Sequence, residues 1–198
     1  MGSNLQPTSC ACTGCGNESA LEAEEKSRWE RADKAKEEVV VESPGKYAGE
    51  KVTMKMGDGA TYTGQVVDGK RHGYGTWENA DQETYVGEYQ KDLQHGKGTL
   101  TWSDGRQYKG QFKDGKFWGD GEMKWSGRPG EGGYIYSGQY VDDRKHGFGT
   151  LSWPNGHIYA GEWQMGKRHG KANFQMKPDA EERPGEWADD KFVRWCKP

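Results

Sequence analysis

From Tyr62 to Gln175, apolar and polar residues alternate at period two, in short runs that restart at a fixed interval. The run that begins at Tyr62 begins again at Tyr85, Tyr108, Tyr136 and Tyr159, every 23 residues with one interval of 28. Successive residues of a strand point to opposite faces of a sheet. One face of the first strand in each unit is therefore aromatic, with glycine between the rings: Tyr62, Gly64 and Val66, then Tyr85, Gly87 and Tyr89, Tyr108, Gly110 and Phe112, Tyr136, Gly138 and Tyr140, Tyr159, Gly161 and Trp163. A second strand opens with glycines, as at Gly73 and Gly75, and continues that face through Trp77, Leu100, Met123, Leu151 and Phe174. Trp102, Trp125 and Trp153 follow two residues after Leu100, Met123 and Leu151, while Thr99, Glu122, Thr150 and Asn173 keep the other face polar. Asp58-Gly59, Asp104-Gly105 and Asn155-Gly156 are turn signals, since both residue types supply positive φ at low cost. The predicted element is a β-hairpin, and its repetition predicts an array in which each hairpin is stabilised by its neighbours.

The recurring string is Tyr-x-Gly-[Glu/Gln]-aromatic, then Gly-x-x-His-Gly-x-Gly, then Asp-Gly or Asn-Gly ahead of the next tyrosine, and it resembles the MORN repeat. The likeness spans about residues 47–175, with a shortened unit at 47–59, Trp118 in the histidine position of the third unit and Ala172 replacing a glycine in the fifth. A partial unit follows at Gly185-Glu186-Trp187. The resemblance implies an all-β fold, an elongated single-layer antiparallel sheet of consecutive hairpins. It also implies a non-enzymatic scaffold for protein–protein interaction in a cytoskeletal, ciliary or membrane-apposed assembly. The aromatic face, with Trp102, Trp125 and Trp153, is the expected surface for a helix or extended segment of a protein partner.

Composition thins the picture further: 31% of residues are hydrophobic and 31 of 198 are glycine, too little for a thick core. One continuous repeat domain is expected at residues 46–178, preceded by a tip at 1–18 and a segment at 19–45, and followed by a partial repeat or cap at 179–198. In the second segment Ser19 and Glu22 are spaced as a capping box, and Leu21, Trp29, Ala32, Ala35 and Val39 form a narrow stripe, which predicts a helix. Trp187, Phe192, Val193 and Trp195 suit a cap over the open edge of the last hairpin, and open ends can pair two copies.

Charge is divided unevenly. Residues 1–45 hold 5 basic and 9 acidic groups, whereas 46–178 hold 19 and 16, a net +3 in the array. Lys70, Arg71, Lys97, Lys116, Arg144, Lys145, Lys167 and Arg168 recur at similar offsets, which predicts one basic edge that can meet anionic phospholipid. Asp68, Asp92, Asp114, Asp142 and Asp143 beside them blunt its field, and the acidic overall balance argues against nucleic acid.

Met-Gly at the start of the chain, with Cys10, Cys12 and Cys15 close by, points to acylation at Gly2 and those cysteines, although Gln6 stands where the pattern wants Ser or Thr. The alternative reading is an anchored adaptor that adds the basic edge to this tip. Three clustered cysteines fall short of a four-ligand zinc site, and His72, His95, His146 and His169 are locked to the repeat at a spacing of about 10 Å, too wide to share a metal. No nucleophile–base set and no phosphate-binding glycine loop is present, so neither catalysis nor a cofactor is expected. With no long apolar run, the expected location is cytoplasmic, with peripheral membrane or cytoskeletal attachment.

Overall fold

The computed structural model describes residues 49–127, 132–178 and 180–197. The expected helix within 19–45 and the acylation candidates Gly2, Cys10, Cys12 and Cys15 lie outside the described residues. The described residues form one open, antiparallel, 13-stranded sheet whose strands pair in sequence order. A half-unit, β1 (Glu50–Lys55), precedes five full hairpins: β2 (Thr61–Val67) with β3 (Lys70–Glu78), β4 (Thr84–Gln90) with β5 (Leu93–Thr101), β6 (Gln107–Lys113) with β7 (Lys116–Lys124), β8 (Ile135–Val141) with β9 (Arg144–Ser152), and β10 (Ile158–Gln164) with β11 (Lys167–Gln175). A shorter hairpin, β12 (Arg183–Ala188) with β13 (Lys191–Trp195), extends the sheet rather than lying over its end, and β1 and β13 are the outer strands of the described sheet.

Two kinds of turn alternate. Within each hairpin a two-residue connection has both residues at positive φ, as at Asp68 (50°) with Gly69 (72°) and Lys91 (51°) with Asp92 (72°). Such turns match the right-handed twist of the strands. Between hairpins the Asp-Gly and Asn-Gly signals close wider loops: Trp102 N–H donates to the Arg106 carbonyl at 2.9 Å, and Asp104 Oδ1 accepts the Arg106 N–H at 3.0 Å. In the unit with the 28-residue interval, Trp125 N–H donates to the Tyr134 carbonyl at 2.9 Å.

The first hairpin strand is regular, whereas the second carries extra residues between Arg71 and Gly75, where Gln65 alone faces them. The same irregularity recurs in all five full hairpins. It re-aims the second strand and exposes backbone N–H groups, a demand met by the Glu or Gln of the repeat. Gln65 Oε1 accepts from Tyr74 N–H at 2.8 Å, Glu88 from Lys97 at 3.0 Å, Gln139 from Phe148 at 3.0 Å and Glu162 from Lys171 at 3.0 Å.

The core is a single row of rings. Tyr62, Tyr89, Tyr85, Phe112, Tyr108, Tyr140, Tyr136, Trp163, Tyr159 and Trp187 meet in that order, each edge-to-face with the next at 5.1–5.4 Å. Tyr62, Tyr85, Tyr108, Tyr136 and Tyr159 are fully buried. Each of these five lies over a cross-strand pair of small residues, such as Gly110 opposite Gly121, and donates its hydroxyl proton to the carbonyl three residues on, at 2.7–3.1 Å. A Cβ on Gly121 would lie 2.6 Å from Tyr108 Cζ. Gly121→Ala is expected to lift the ring and cost about 2 kcal/mol or more in urea unfolding, the usual scale for overpacking; an unchanged midpoint would contradict the role given to the pair.

Candidate functional site

The ring row uses up most of the surface that the alternation singles out. Tyr62, Tyr85, Tyr108, Tyr136 and Tyr159 have no exposure, and Tyr89, Phe112, Tyr140 and Trp163 have 3–5%, so these nine rings are the interior of the sheet's own fold. Trp102, Trp125 and Trp153 are among the side chains that stay partly accessible on that face, half-buried at the starts of the inter-hairpin loops and packed against the row. Trp102 meets Phe117 edge-to-face at 6.2 Å, and Trp153 meets Phe174 at 6.3 Å. Phe117 stacks on Tyr108 at 3.8 Å and 14°, an arrangement found in the third unit, where Arg71 has its equivalent in an aromatic residue.

The basic residues do not line one edge, because neighbours on a strand point to opposite faces. Lys70, Lys97 and Arg144 are exposed, with no ion-pair partner among the described residues. Lys116 and Lys167 are also exposed but held by Asp142 at 3.1 Å and Asp189 at 3.3 Å. Arg71, Lys145 and Arg168 turn instead onto the ring face. The Arg71 guanidinium lies 5.0 Å from the Tyr89 centroid, and Arg168 lies 5.9 Å from that of Tyr159. Lys145 Nζ sits 4.8, 4.8 and 4.7 Å from the centroids of Trp125, Tyr136 and Trp163.

A turn-to-strand clasp joins successive hairpins, and the sequence reading treated its aspartates only as charge. Asp92 N–H donates to the Arg71 carbonyl at 2.9 Å, while Asp92 Oδ1 accepts the Arg71 N–H at 2.8 Å. Asp143 grips Phe117, and Asp190 grips Arg168, in the same reciprocal way. The signal was present as aspartate at the second turn position of alternate units.

Two of the repeated histidines reach the neighbouring unit. His146 Nδ1 accepts from Met165 N–H at 3.4 Å, and His95 Nδ1 lies 3.8 Å from Asp114 Oδ1. Among the described residues no three His, Cys, Asp or Glu side chains converge as a metal site. Shallow grooves include one of about 320 Å³ beside Arg71, Trp77 and Leu93 on the ring face and one of about 300 Å³ between His146, Phe148 and His169.

Burial dominates the acid–base behaviour of the row. It pushes the Tyr62 phenol up to about 12, the neighbouring Arg71 opposing, and raises Tyr85, Tyr108, Tyr136 and Tyr159 further. It pushes the Lys145 amine down to about 8. A phenol raised above its unfolded value near 10 contributes stability that is complete below that pH and lost as pH rises through the folded value. Phenolate absorbance and loss of the sheet's circular dichroism should therefore rise together, in one cooperative step between about pH 10 and 12. Gradual ionisation of these tyrosines near pH 10 with the sheet intact would refute the buried row.

The family model described as the MORN repeat matches residues 62–84, 85–105, 108–127, 136–158 and 159–175, together more than half of the chain. No curated protein matches the chain.

Proposed function

The chain belongs to the MORN-repeat family, and from that membership we propose that it is a scaffold that holds a protein partner on the tryptophan-walled face of its sheet, in a cytoskeletal, ciliary or membrane-apposed assembly of the cytoplasm. MORN repeats occur in protein–protein and membrane-binding scaffolds and are generally non-catalytic modules, which supports a role without chemistry of its own. The observation that carries the reading is the position of Trp102, Trp125 and Trp153, half-buried against a row of rings that is already packed. Their backing is rigid, so a partner gains aromatic contact area without ordering the surface first. Tryptophan, tyrosine and arginine in such settings dominate binding energy at protein interfaces.

The second reading, a membrane adaptor, draws on Lys70, Lys97 and Arg144, which are exposed and have no ion-pair partner among the described residues. Each such charge is worth about 1 kcal/mol at an anionic surface. Against it, Lys116 and Lys167 are engaged by aspartates, and Arg71 and Arg168 by both aspartates and rings. The acylation that would complete the anchor concerns Gly2, Cys10, Cys12 and Cys15, outside the described residues.

Two full-length variants separate the readings in the protein's own cells. Trp102→Ala/Trp153→Ala should release the chain from its native assembly, with a loss of about 2 kcal/mol or more in affinity, while Lys70→Glu/Lys97→Glu/Arg144→Glu should stay bound. Size and sedimentation of the cross-linked extracts provide the readout. Release by the charge variant alone would transfer the function to the membrane edge.

A further inference from the structure

Each unit presents one side chain on the ring face just ahead of the next unit's turn: Arg71, Gln94, Phe117, Lys145 and Arg168. Their carbonyls accept from the second residue of that turn, in order Asp92, Gly115, Asp143, Gly166 and Asp190, at 2.7–3.2 Å. Three of the five side chains are cations, and two of these meet a carboxylate from the turn. Arg71 Nε is 3.4 Å from Asp92 Oδ1, and Arg168 Nε is 3.2 Å from Asp190 Oδ1.

Lys145 is the exception. The turn opposite it ends in Gly166, and Lys145 Nζ has no ion-pair or hydrogen-bond partner among the described residues. A Cβ on Gly166 would meet nothing within 4 Å, so the space that aspartate fills in the sister turns is open here. Asp190 and Arg168 are the charges that act on Lys145, and they are committed to each other. Three rings attract the ammonium without neutralising it. A half-buried charge that lacks its counter-ion pays part of its desolvation cost unrewarded, and a carboxylate supplied from outside removes that deficit.

We propose that Lys145, framed by Trp125, Tyr136 and Trp163 beside the open position at Gly166, anchors a carboxylate of the bound protein segment. The partner is thus an apolar or aromatic peptide that carries an Asp, a Glu or a free C-terminal carboxyl group at this point. The inference rests on the ring face being the partner site and adds the chemistry of its occupant. A peptide fits better than a lipid surface because Lys145 is recessed between rings, whereas a bilayer meets the protruding Lys70, Lys97 and Arg144 first.

The test is selection of amphipathic peptides displayed on phage against the folded full-length chain. Wild-type protein should enrich sequences with one acidic position flanked by aromatic or aliphatic residues. Lys145→Met, which keeps the aliphatic stem, should weaken them about tenfold or more, the usual scale for unpairing a desolvated charge. Gly166→Asp, which brings in a carboxylate where Asp92 and Asp190 already stand, should weaken them as well, at some cost in melting temperature because Gly166 holds φ at 93°, while Lys145→Met melts near the wild-type temperature. Affinity should also fall as pH rises past about 8, where the free amine loses its proton. Peptides that require Trp102 and Trp153 but ignore Lys145→Met would overturn the carboxylate anchor and leave the face intact as a site. Binders indifferent to both tryptophans, or no binders, would remove the face and the anchor together. Phosphatidylserine vesicles that bind the wild type and lose the Lys145→Met variant would assign the anion to a headgroup and refute the peptide.

Discussion

A tyrosine ring lying on a pair of facing glycines is the contact on which the rest of the sheet depends. An open sheet without a second layer has to find burial for its apolar side chains within itself. Here the facing pair, Gly110 with Gly121 in the third unit, gives the ring of Tyr108 a place flat against the backbone. The hydroxyl then reaches the Gln111 carbonyl at 2.9 Å, so a phenol that burial would otherwise leave unsatisfied is paired. Edge-to-face contact with the rings on either side turns five such placements into one continuous row. Each ring touches only adjacent units, so the stability of the array is a chain of nearest-neighbour terms.

The other repeat positions serve this placement. The irregularity between Arg71 and Gly75 lets the second strand bring Arg71 back over the rings, and Gln65 pairs the N–H group that the irregularity frees. The aspartate clasps act at the opposite level, between hairpins, where Asp92 ties one turn to the strand before it. Such exposed ionic contacts are worth little singly. Their backbone partners make them registry devices rather than sources of stability, since each fixes where one hairpin sits against the next.

Much of this was legible in the sequence because parity is a backbone property that survives without knowledge of packing. Tyr62, Gly64 and Val66 had to share a face, and Trp77 had to join them across the strand pair. What parity cannot show is how much of a face its own rings will cover. The nine rings from Tyr62 to Trp163 were read as a partner surface and are core, because edge-to-face packing closes them against one another. The basic row was misread for a related reason: Lys70 and Arg71 are one residue apart, so only one can face the solvent edge. The tight turns at Lys91-Asp92 and Asp142-Asp143 lack glycine, and their aspartates, which tolerate positive φ, carry a backbone role that charge alone does not reveal.

Function, on this account, is carried by the residues that the repeat does not need. The tyrosine that opens each full unit is buried, hydrogen-bonded and the same throughout, and therefore cannot distinguish one part of the sheet from another. Trp102, Trp125 and Trp153 stand above the row without completing it, and Trp153 sits in a loop position that asparagine fills at Asn79 and methionine at Met56. Lys145 is a cation like Arg71 and Arg168, but Gly166 stands where those two face Asp92 and Asp190, so this junction joins a charge to a turn without a carboxylate. An array of near-identical hairpins gains an address only where its units differ, and on the ring face the cation without a turn carboxylate lies at that junction.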